Sequence, residues 1–248
     1  MTMNQELLDR DFETHWVHKF DDLRTAGVPM QANSNIRTGA EERGCAEFLE
    51  SILASDWGRP EHLQRVAAAV QRLMKELYID APNDHNTRGT AMRVAKMYVT
   101  EVMKGRFDPQ PDITAFPNAL RLDELYTTGP ITVRSMCSHH LVPIIGKAWI
   151  GIIPGEDTVI GLSKFNRLVD WVFSRPQIQE EASIQLADIL ECIAKPKGLA
   201  VVVKATHMCM TWRGVRESQD AVMTTSVIRG AIKDVPAARA EFFSLIRE

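Results

Sequence analysis

The sequence predicts an α+β fold, in which a helical N-terminal region precedes a four-stranded antiparallel sheet with two helices on one face. Before residue 105, apolar residues recur at three- and four-residue steps, which is the period of amphipathic helices. After residue 119, two pairs of segments rich in β-branched residues are separated by two helical segments. The predicted order of the second half is therefore β-β-α-α-β-β, and helices layered on an antiparallel sheet are typical of the α+β class.

The N-terminal half contains an arm and three predicted helices. Residues 1–39 have mixed charge and polar stretches, so we expect a loosely packed arm. Amphipathic periods predict helices over 41–55 and 61–77. A third helix is predicted over 90–104, because Thr90 can cap its start and a glycine follows its end.

A linker is predicted between the two halves. Residues 106–119 contain three prolines among mixed polar residues, a composition that does not sustain a helix or a central strand. We therefore place a boundary there. The expected division is an N-terminal arm and helical region over 1–118 and a catalytic domain over 119–248.

The first predicted strand pair flanks a turn that contains cysteine and histidine. Residues 131–136 and 146–153 alternate in side-chain character, so they are predicted to pair as antiparallel strands. Helical patterns follow over 163–174 and 177–193. We expect Pro176 to start the second of these helices, because proline favours the first turn.

The second predicted strand pair lies near the C-terminus. Residues 198–212 form a long run rich in β-branched side chains, and 221–228 provide a partner strand after a polar loop. A final amphipathic helix is predicted over 237–246.

The bulk composition is that of a globular protein with a hydrophobic core. Of the 248 residues, 45% are hydrophobic and 25% are charged, and the net charge is only −3. These values are atypical of a disordered tail or a nucleic-acid-binding protein, and no basic run suggests DNA or RNA as a partner. The sequence contains neither eighteen consecutive apolar residues nor an N-terminal signal-peptide pattern, so we expect a cytoplasmic protein without a membrane partner.

Two short fragments contain the residue types of a metal site. Cys137 and His140 are three positions apart in one turn, and Cys209 can supply a third ligand from a neighbouring strand. Two thiolates and an imidazole suit zinc, whereas magnesium and calcium prefer carboxylate oxygens, which both fragments lack. The alternative is that two buried cysteines and a core histidine meet by chance.

Two further histidines, His139 and His207, lie beside the predicted ligands. A zinc ion with three protein ligands has an open fourth position, and water bound there becomes nucleophilic near neutral pH. Imidazole is suited to proton transfer in the same pH range, so both histidines are candidates for acid/base work. Hydrogen bonds that orient the metal ligands are the alternative role.

Charged residues cluster in the same half of the chain. Lys164 and Arg167 lie on the first predicted helix of the pair, and Arg213 follows Cys209. They either are ordinary surface charges or bind a polyphosphate through charge-assisted hydrogen bonds. Glu180 likewise is either a solvated carboxylate or an acceptor for the paired N–H donors of a guanine edge.

Taken together, these motifs resemble a known family over about residues 60–246. Five segments resemble successive signatures of GTP cyclohydrolase I: 93–98, 137–140, 159–167, 175–180 and 207–216. The resemblance implies a tunnelling fold (T-fold), in which β-β-α-α-β-β units assemble side by side into a barrel. It also implies a homo-oligomer, commonly of ten subunits, with active sites between subunits.

The resemblance assigns a role to each matching residue. It implies zinc as the cofactor and GTP as the substrate. The implied zinc ligands are Cys137, His140 and Cys209. The implied catalytic residues are His139, His207 and Ser163, and the implied contacts to guanine and triphosphate are Gln179, Glu180, Lys164, Arg167, Arg213 and, from a neighbouring subunit, Arg93.

The implied reaction is the first step of tetrahydrofolate and pterin biosynthesis. Activated water adds to C8 of GTP, the imidazole ring opens, and formate is released. The ribose then rearranges and the ring closes to 7,8-dihydroneopterin triphosphate. The chain departs from the family pattern at Ser138, where glutamate is usual, at Ala91, where proline is usual, and in the stretch 217–226, which keeps only part of a Ser/Thr-rich segment.

Two alternatives remain open at this stage. A nitrile reductase of queuosine synthesis shares the fold, but it uses a cysteine nucleophile and no zinc, so the Cys/His/Cys set disfavours it. A non-catalytic assembly protein stabilised by zinc would need a fourth protein ligand. A zinc deaminase is excluded, because the sequence lacks His-x-Glu followed by Pro-Cys-x-x-Cys.

Overall fold

The computed structural model of the protein describes residues 60–106 and 108–247. Its strands are β1 Ala115–Pro117, β2 Tyr126–Cys137, β3 Pro143–Ile153, β4 Thr158–Ile160, β5 Pro176–Gln177, β6 Gly198–His207 and β7 Met223–Gly230. They form a large sheet with the order β5-β2-β3-β6-β7 and a small sheet in which β1 pairs with β4.

The helices lie before, between and after these strands. Their bounds are α1 Pro60–Glu76, α2 Thr90–Lys96, α3 Leu162–Phe173, α4 Gln179–Ala194, α5 Met208–Thr211, α6 Ala231–Asp234 and α7 Pro236–Leu245. A π-helical segment over Met97–Val102 continues α2, and a 3₁₀ turn follows over Lys104–Arg106.

The large sheet separates two apolar clusters because its side chains alternate between faces. On one face, Val133, Ile150 and Val201 pack with Phe165 of α3 and Leu186 of α4, and all five side chains are fully or almost fully buried. This is the main core. It explains why α3 and α4 have buried apolar stripes and lie on the same side of the sheet.

The opposite face of the sheet is covered by the C-terminal helices. Trp149 and Val202 alternate with the main-core residues of their strands, and they pack against Ile232 of α6 and Phe242 of α7. Gly151 lies beneath the Phe242 ring, where an added Cβ would come within 2.6 Å of two ring atoms. A glycine is therefore required for this close approach.

The mixed α+β class and the antiparallel pairing of the main strands are as predicted. The sheet has five strands instead of four, because the two-residue strand β5 pairs in parallel with the end of β2. Pro176 lies in β5 and does not start α4, which begins at Gln179. The expected linker contains β1, whose partner β4 lies far along the chain and leaves no local signal.

The predicted strand 198–212 is too long. Strand β6 ends at His207, which pairs with Ile144, the second residue of β3. Met208–Thr211 then forms a helical turn instead of continuing the strand. The predicted helix 90–104 is likewise divided into an α-helical part and a π-helical part.

The expected arm over 1–39 and helix over 41–55 lie outside the described residues. The division at residue 118 stays a prediction. None of the helices within 60–106 and 108–247 is long and apolar enough to cross a membrane.

Candidate metal centre

The candidate ligands lie at one edge of the large sheet, where three strand ends meet. Cys137 is the last residue of β2, and the pairs Met136–Pro143 and Ile144–His207 bring the start of β3 and the end of β6 beside it. The Cys137 amide donates to the Val142 carbonyl at 2.9 Å, which closes the tight turn between β2 and β3. The fold thus joins two fragments that are about seventy residues apart in the sequence.

Cys137, His140 and Cys209 form a group that could hold a metal ion. Their ligand atoms all lie within 4.8 Å of one another. A tetrahedral ion with bonds of about 2.3 Å holds its ligand atoms roughly 3.8 Å apart, so small side-chain rotations bring all three onto one ion. Among the residues that the structure describes, this group has three members, which leaves one position of a tetrahedral ion open.

The two thiols differ in their surroundings. Cys137 is buried in an apolar cluster with Val142, Ile144 and Ala205, while Cys209 is half-buried at its border. Burial raises the pKa of the Cys209 thiol, the neighbouring Cys137 raises it further, and the charge of Arg213 lowers it. Because a metal binds the thiolate, ion binding at this site displaces a proton.

The two other histidines occupy different environments. His139 is exposed in the turn, and its Nδ1 lies 3.9 Å from Cys137 Sγ. His207 is partly buried at the end of β6, and its Nε2 lies 2.8 Å from Oε1 of Gln179. Burial lowers the pKa of His207, and the carboxylate of Glu180 opposes this effect. His207 and Glu180 are therefore close enough to interact electrostatically.

Arg213 and Gln179 contact the histidines of the site. Nη1 of Arg213 lies 3.0 Å from Nε2 of His140, so the guanidinium adjoins a candidate metal ligand. Gln179, expected at guanine, is buried and directs its side-chain amide toward His207 and the ends of β6 and β7. Glu180, the next residue of α4, is exposed.

The remaining expected site residues lie on two helices. Ser163, Lys164 and Arg167 occupy the first half of α3, where Ser163 and Arg167 are exposed. Nζ of Lys164 donates to the Asp112 carbonyl at 2.9 Å. Arg93 lies on α2 and donates to the Asn86 carbonyl at 3.0 Å. None of these four residues takes part in the contacts described above around the metal-ligand triad, which is Cys137, His140 and Cys209.

Sequence patterns did not indicate the residues that support Gln179. Thr225 on β7 and Ser183 on α4 bond to each other at 2.8 Å, and each also bonds to Gln179. Ser183 lies four positions after Gln179, which is a weak hint that the two share a helix face. The role of Thr225 becomes apparent only from the packing of α4 against β7.

Comparison with known proteins gives a consistent result over most of the chain. A sequence model of the family described as GTP cyclohydrolase I matches residues 66–247. The GTP cyclohydrolase 1 of Photobacterium profundum is 37% identical over 213 residues, which cover 86% of this chain and 95% of that relative. The enzyme of the same name from Serratia proteamaculans is 36% identical over 214 residues, which cover 86% of this chain and 94% of that relative.

A solved structure also shows a partial similarity. The crystal structure of the archaeosine synthase QueF-Like in its apo form matches with a TM-score of 0.34 and 16% sequence identity. The match covers 49% of this chain and 97% of that chain. A TM-score of this size supports no inference about the protein described here.

Proposed function

The chain belongs to the GTP cyclohydrolase I family, and from this premise we propose that it converts GTP and water to 7,8-dihydroneopterin triphosphate and formate. The observation that carries the proposal is the meeting of Cys137, His140 and Cys209 within 4.8 Å, with His207 close by. A hydrolytic ring opening needs an activated water and groups that transfer protons. This edge of the sheet offers candidates for both.

The proposed cofactor is zinc. Two thiols and an imidazole are soft and borderline donors that suit zinc, and no carboxylate belongs to the group within the described residues. When bound, the ion supplies Lewis-acid chemistry that makes water nucleophilic near neutral pH. The open fourth position favours a catalytic over a closed structural site.

The proposed acid/base residues are His207 and His139. His207 is partly buried, and its lowered pKa keeps the ring neutral at pH 7, so it can accept a proton from a reacting group. His139 is exposed in the turn and can exchange protons with solvent. Ser163, at the start of α3, is proposed to act on the ribose during its rearrangement.

The proposed substrate contacts divide between the base and the phosphates. Glu180 is exposed on the first turn of α4 and can accept the N1–H and 2-amino donors of guanine. Lys164, Arg167 and Arg213 are proposed to bind the triphosphate, because cations form charge-assisted hydrogen bonds with phosphate oxygens. Arg93 is proposed to reach the triphosphate of a neighbouring subunit.

The proposed assembly follows the family resemblance. The catalytic domain over 119–248 is a T-fold unit, and the N-terminal arm and helical region extend over 1–118. Such units form a homo-oligomer, commonly a decamer, with active sites between subunits. The cytoplasm is the proposed location.

The experiment that tests this function is an incubation of the zinc-loaded protein with GTP. The expected result is a pterin that becomes fluorescent after oxidation, together with formate in equal amount. Zinc-loaded protein that leaves GTP unchanged would contradict the proposal. Binding of GTP without turnover would favour a non-catalytic protein instead.

A further inference from the structure

The side chain of Gln179 is the most extensively bonded polar group near the candidate metal centre. It is 2% exposed at the start of α4. Its Nε2 lies 3.1 Å from the Val203 carbonyl, 3.2 Å from the Met223 carbonyl and 3.1 Å from Oγ1 of Thr225. Its Oε1 lies 2.8 Å from Nε2 of His207. The amide thus links the start of α4 to β7 and to two residues of β6, one of which is His207.

These contacts fix the orientation of the amide. Backbone carbonyl oxygens only accept hydrogen bonds, so the NH₂ group of Gln179 must face Val203 and Met223. A flipped amide would place two carbonyl oxygens against its own oxygen, at the cost of buried unpaired acceptors. Oε1 consequently faces His207.

The orientation of the amide in turn fixes the tautomer of His207. Since Oε1 of Gln179 can only accept, Nε2 of His207 must carry the proton of this bond. In the neutral ring this is the Nε2–H tautomer, in which Nδ1 carries the lone pair. Two further hydrogen bonds lie beside the Gln179 amide. Ser183 Oγ donates to the main-chain carbonyl of Gln179 at 2.7 Å and lies 2.8 Å from Thr225 Oγ1.

We propose that Gln179 is a positioning residue for His207: it accepts a hydrogen bond from Nε2 and so holds the ring in one orientation, as the Nε2–H tautomer of the neutral ring. The inference rests on the proposed function and changes one part of the family expectation, in which the Gln179 side chain contacts guanine. Both donors of its buried amide and one lone pair of its oxygen are already used inside the protein. Recognition of the guanine edge by a side chain therefore falls to the exposed Glu180.

Gln179→Met tests the proposal, because methionine has a similar length and its thioether sulfur is only a weak hydrogen-bond acceptor. In the zinc-loaded enzyme, kcat for GTP is expected to fall about 10- to 100-fold, as for other residues that orient catalytic groups. KM for GTP, zinc content and the preference for GTP over ITP, which lacks the 2-amino group, are expected to stay within about 2-fold of wild type.

Gln110→Met is the matched control. Gln110 is exposed in the segment before β1, so the same substitution there is expected to leave kcat within about 3-fold of wild type. A Gln179→Met enzyme with raised KM, an unchanged kcat and a reduced preference for GTP over ITP would overturn the proposal, because it would show that the side chain contacts guanine.

A second measurement does not depend on whether a variant folds. In wild-type zinc-loaded enzyme labelled with ¹⁵N-histidine, the His207 ring is expected to show a protonated Nε2 and an unprotonated Nδ1. A neutral ring with its proton on Nδ1 and a lone pair on Nε2 would overturn the proposal. If wild type releases no formate from GTP, the proposed function fails; if wild type is active and the tautomer is the opposite one, only the positioning role fails.

Discussion

Nη1 of Arg213 lies 3.0 Å from Nε2 of His140, so a cation adjoins the ring of a candidate metal ligand. Arg213 is exposed and belongs to the segment that follows α5, while His140 belongs to the turn between β2 and β3. The contact therefore joins the two fragments of the candidate centre. Guanidinium supplies no lone pair to a metal, and the proposed role of Arg213 is to bind phosphate oxygens of the substrate.

Arg213→Met is expected to weaken GTP binding without loss of metal. The variant removes a charge-assisted contact to the triphosphate, so KM for GTP is expected to rise at least about 10-fold. Zinc content per chain, measured by atomic emission, is expected to match wild type. Arg239→Met on α7 is the control and should leave both values unchanged. Loss of zinc from the Arg213 variant would instead show that its main role is to hold His140.

Metal binding and proton transfer are expected to separate in two variants. Cys209→Ser replaces a soft thiolate ligand, so bound zinc and turnover are both expected to fall sharply. His207→Ala removes no member of the triad, so zinc is expected to remain while formate release falls about 100-fold or more. Zinc content and formate release are measured on the same preparations.

The exposed Cys192 provides a matched thiol control for this pair. Cys192→Ser is expected to keep wild-type zinc and wild-type turnover, because the residue lies on α4 and outside the triad. Equal zinc loss in the Cys209 and His207 variants would mean that ligand and acid/base residue are wrongly assigned.

Glu180→Gln is expected to impair recognition of the guanine edge. A carboxylate accepts two N–H donors, whereas an amide offers one acceptor and one donor, so one contact becomes repulsive. KM for GTP is expected to rise about 10- to 100-fold, and the preference for GTP over ITP should shrink. Glu156→Gln in an exposed loop is the control. An unchanged preference would place Glu180 away from the base.

The buried Arg175 side chain contacts three other segments of the chain. Its guanidinium lies 4.0 Å from the Trp171 ring centroid, Nε donates to the Gly105 carbonyl at 2.8 Å, and Nη1 donates to Gln185 at 3.2 Å. Burial lowers its pKa to about 10, so the group remains charged at neutral pH.

Arg175→Lys is expected to destabilise the protein by about 1–3 kcal/mol. An ammonium cannot keep both hydrogen bonds and the stacking contact at once, and a buried acceptor is left unpaired. The measurement is the midpoint of urea unfolding at pH 7, where both side chains are charged. Arg72→Lys on the exposed face of α1 should leave the midpoint unchanged. A midpoint shift as small as that of the control would mean that the bonds of Arg175 add little to stability.

Ligand chemistry was the part of the site that the sequence made predictable. Cys137 and His140 lie in one turn, and only a few residue types bind metals through soft atoms, so spacing and composition together indicated the three members of the group. Strand pairing then brought Cys209 to them, as the antiparallel order of β2, β3 and β6 requires.

Contacts that depend on the packing of distant elements were not predictable. The bond between Gln179 and His207 forms because the first turn of α4 packs against the ends of β6 and β7, and no local pattern encodes that approach. The end of β6 was misplaced for a similar reason. β-branched residues favour strands, but the length of β6 is set by its pairing with β3, whose last pair is Ile144–His207.

The most direct test of the proposed reaction follows the fate of C8 of GTP. Zinc-loaded wild-type protein is incubated with GTP that contains ¹³C at C8, and the products are followed by NMR. The label is expected to leave the purine and to appear as formate, one molecule for each pterin formed. Label that stays in an intact guanine ring, or a labelled product other than formate, would contradict the proposed reaction.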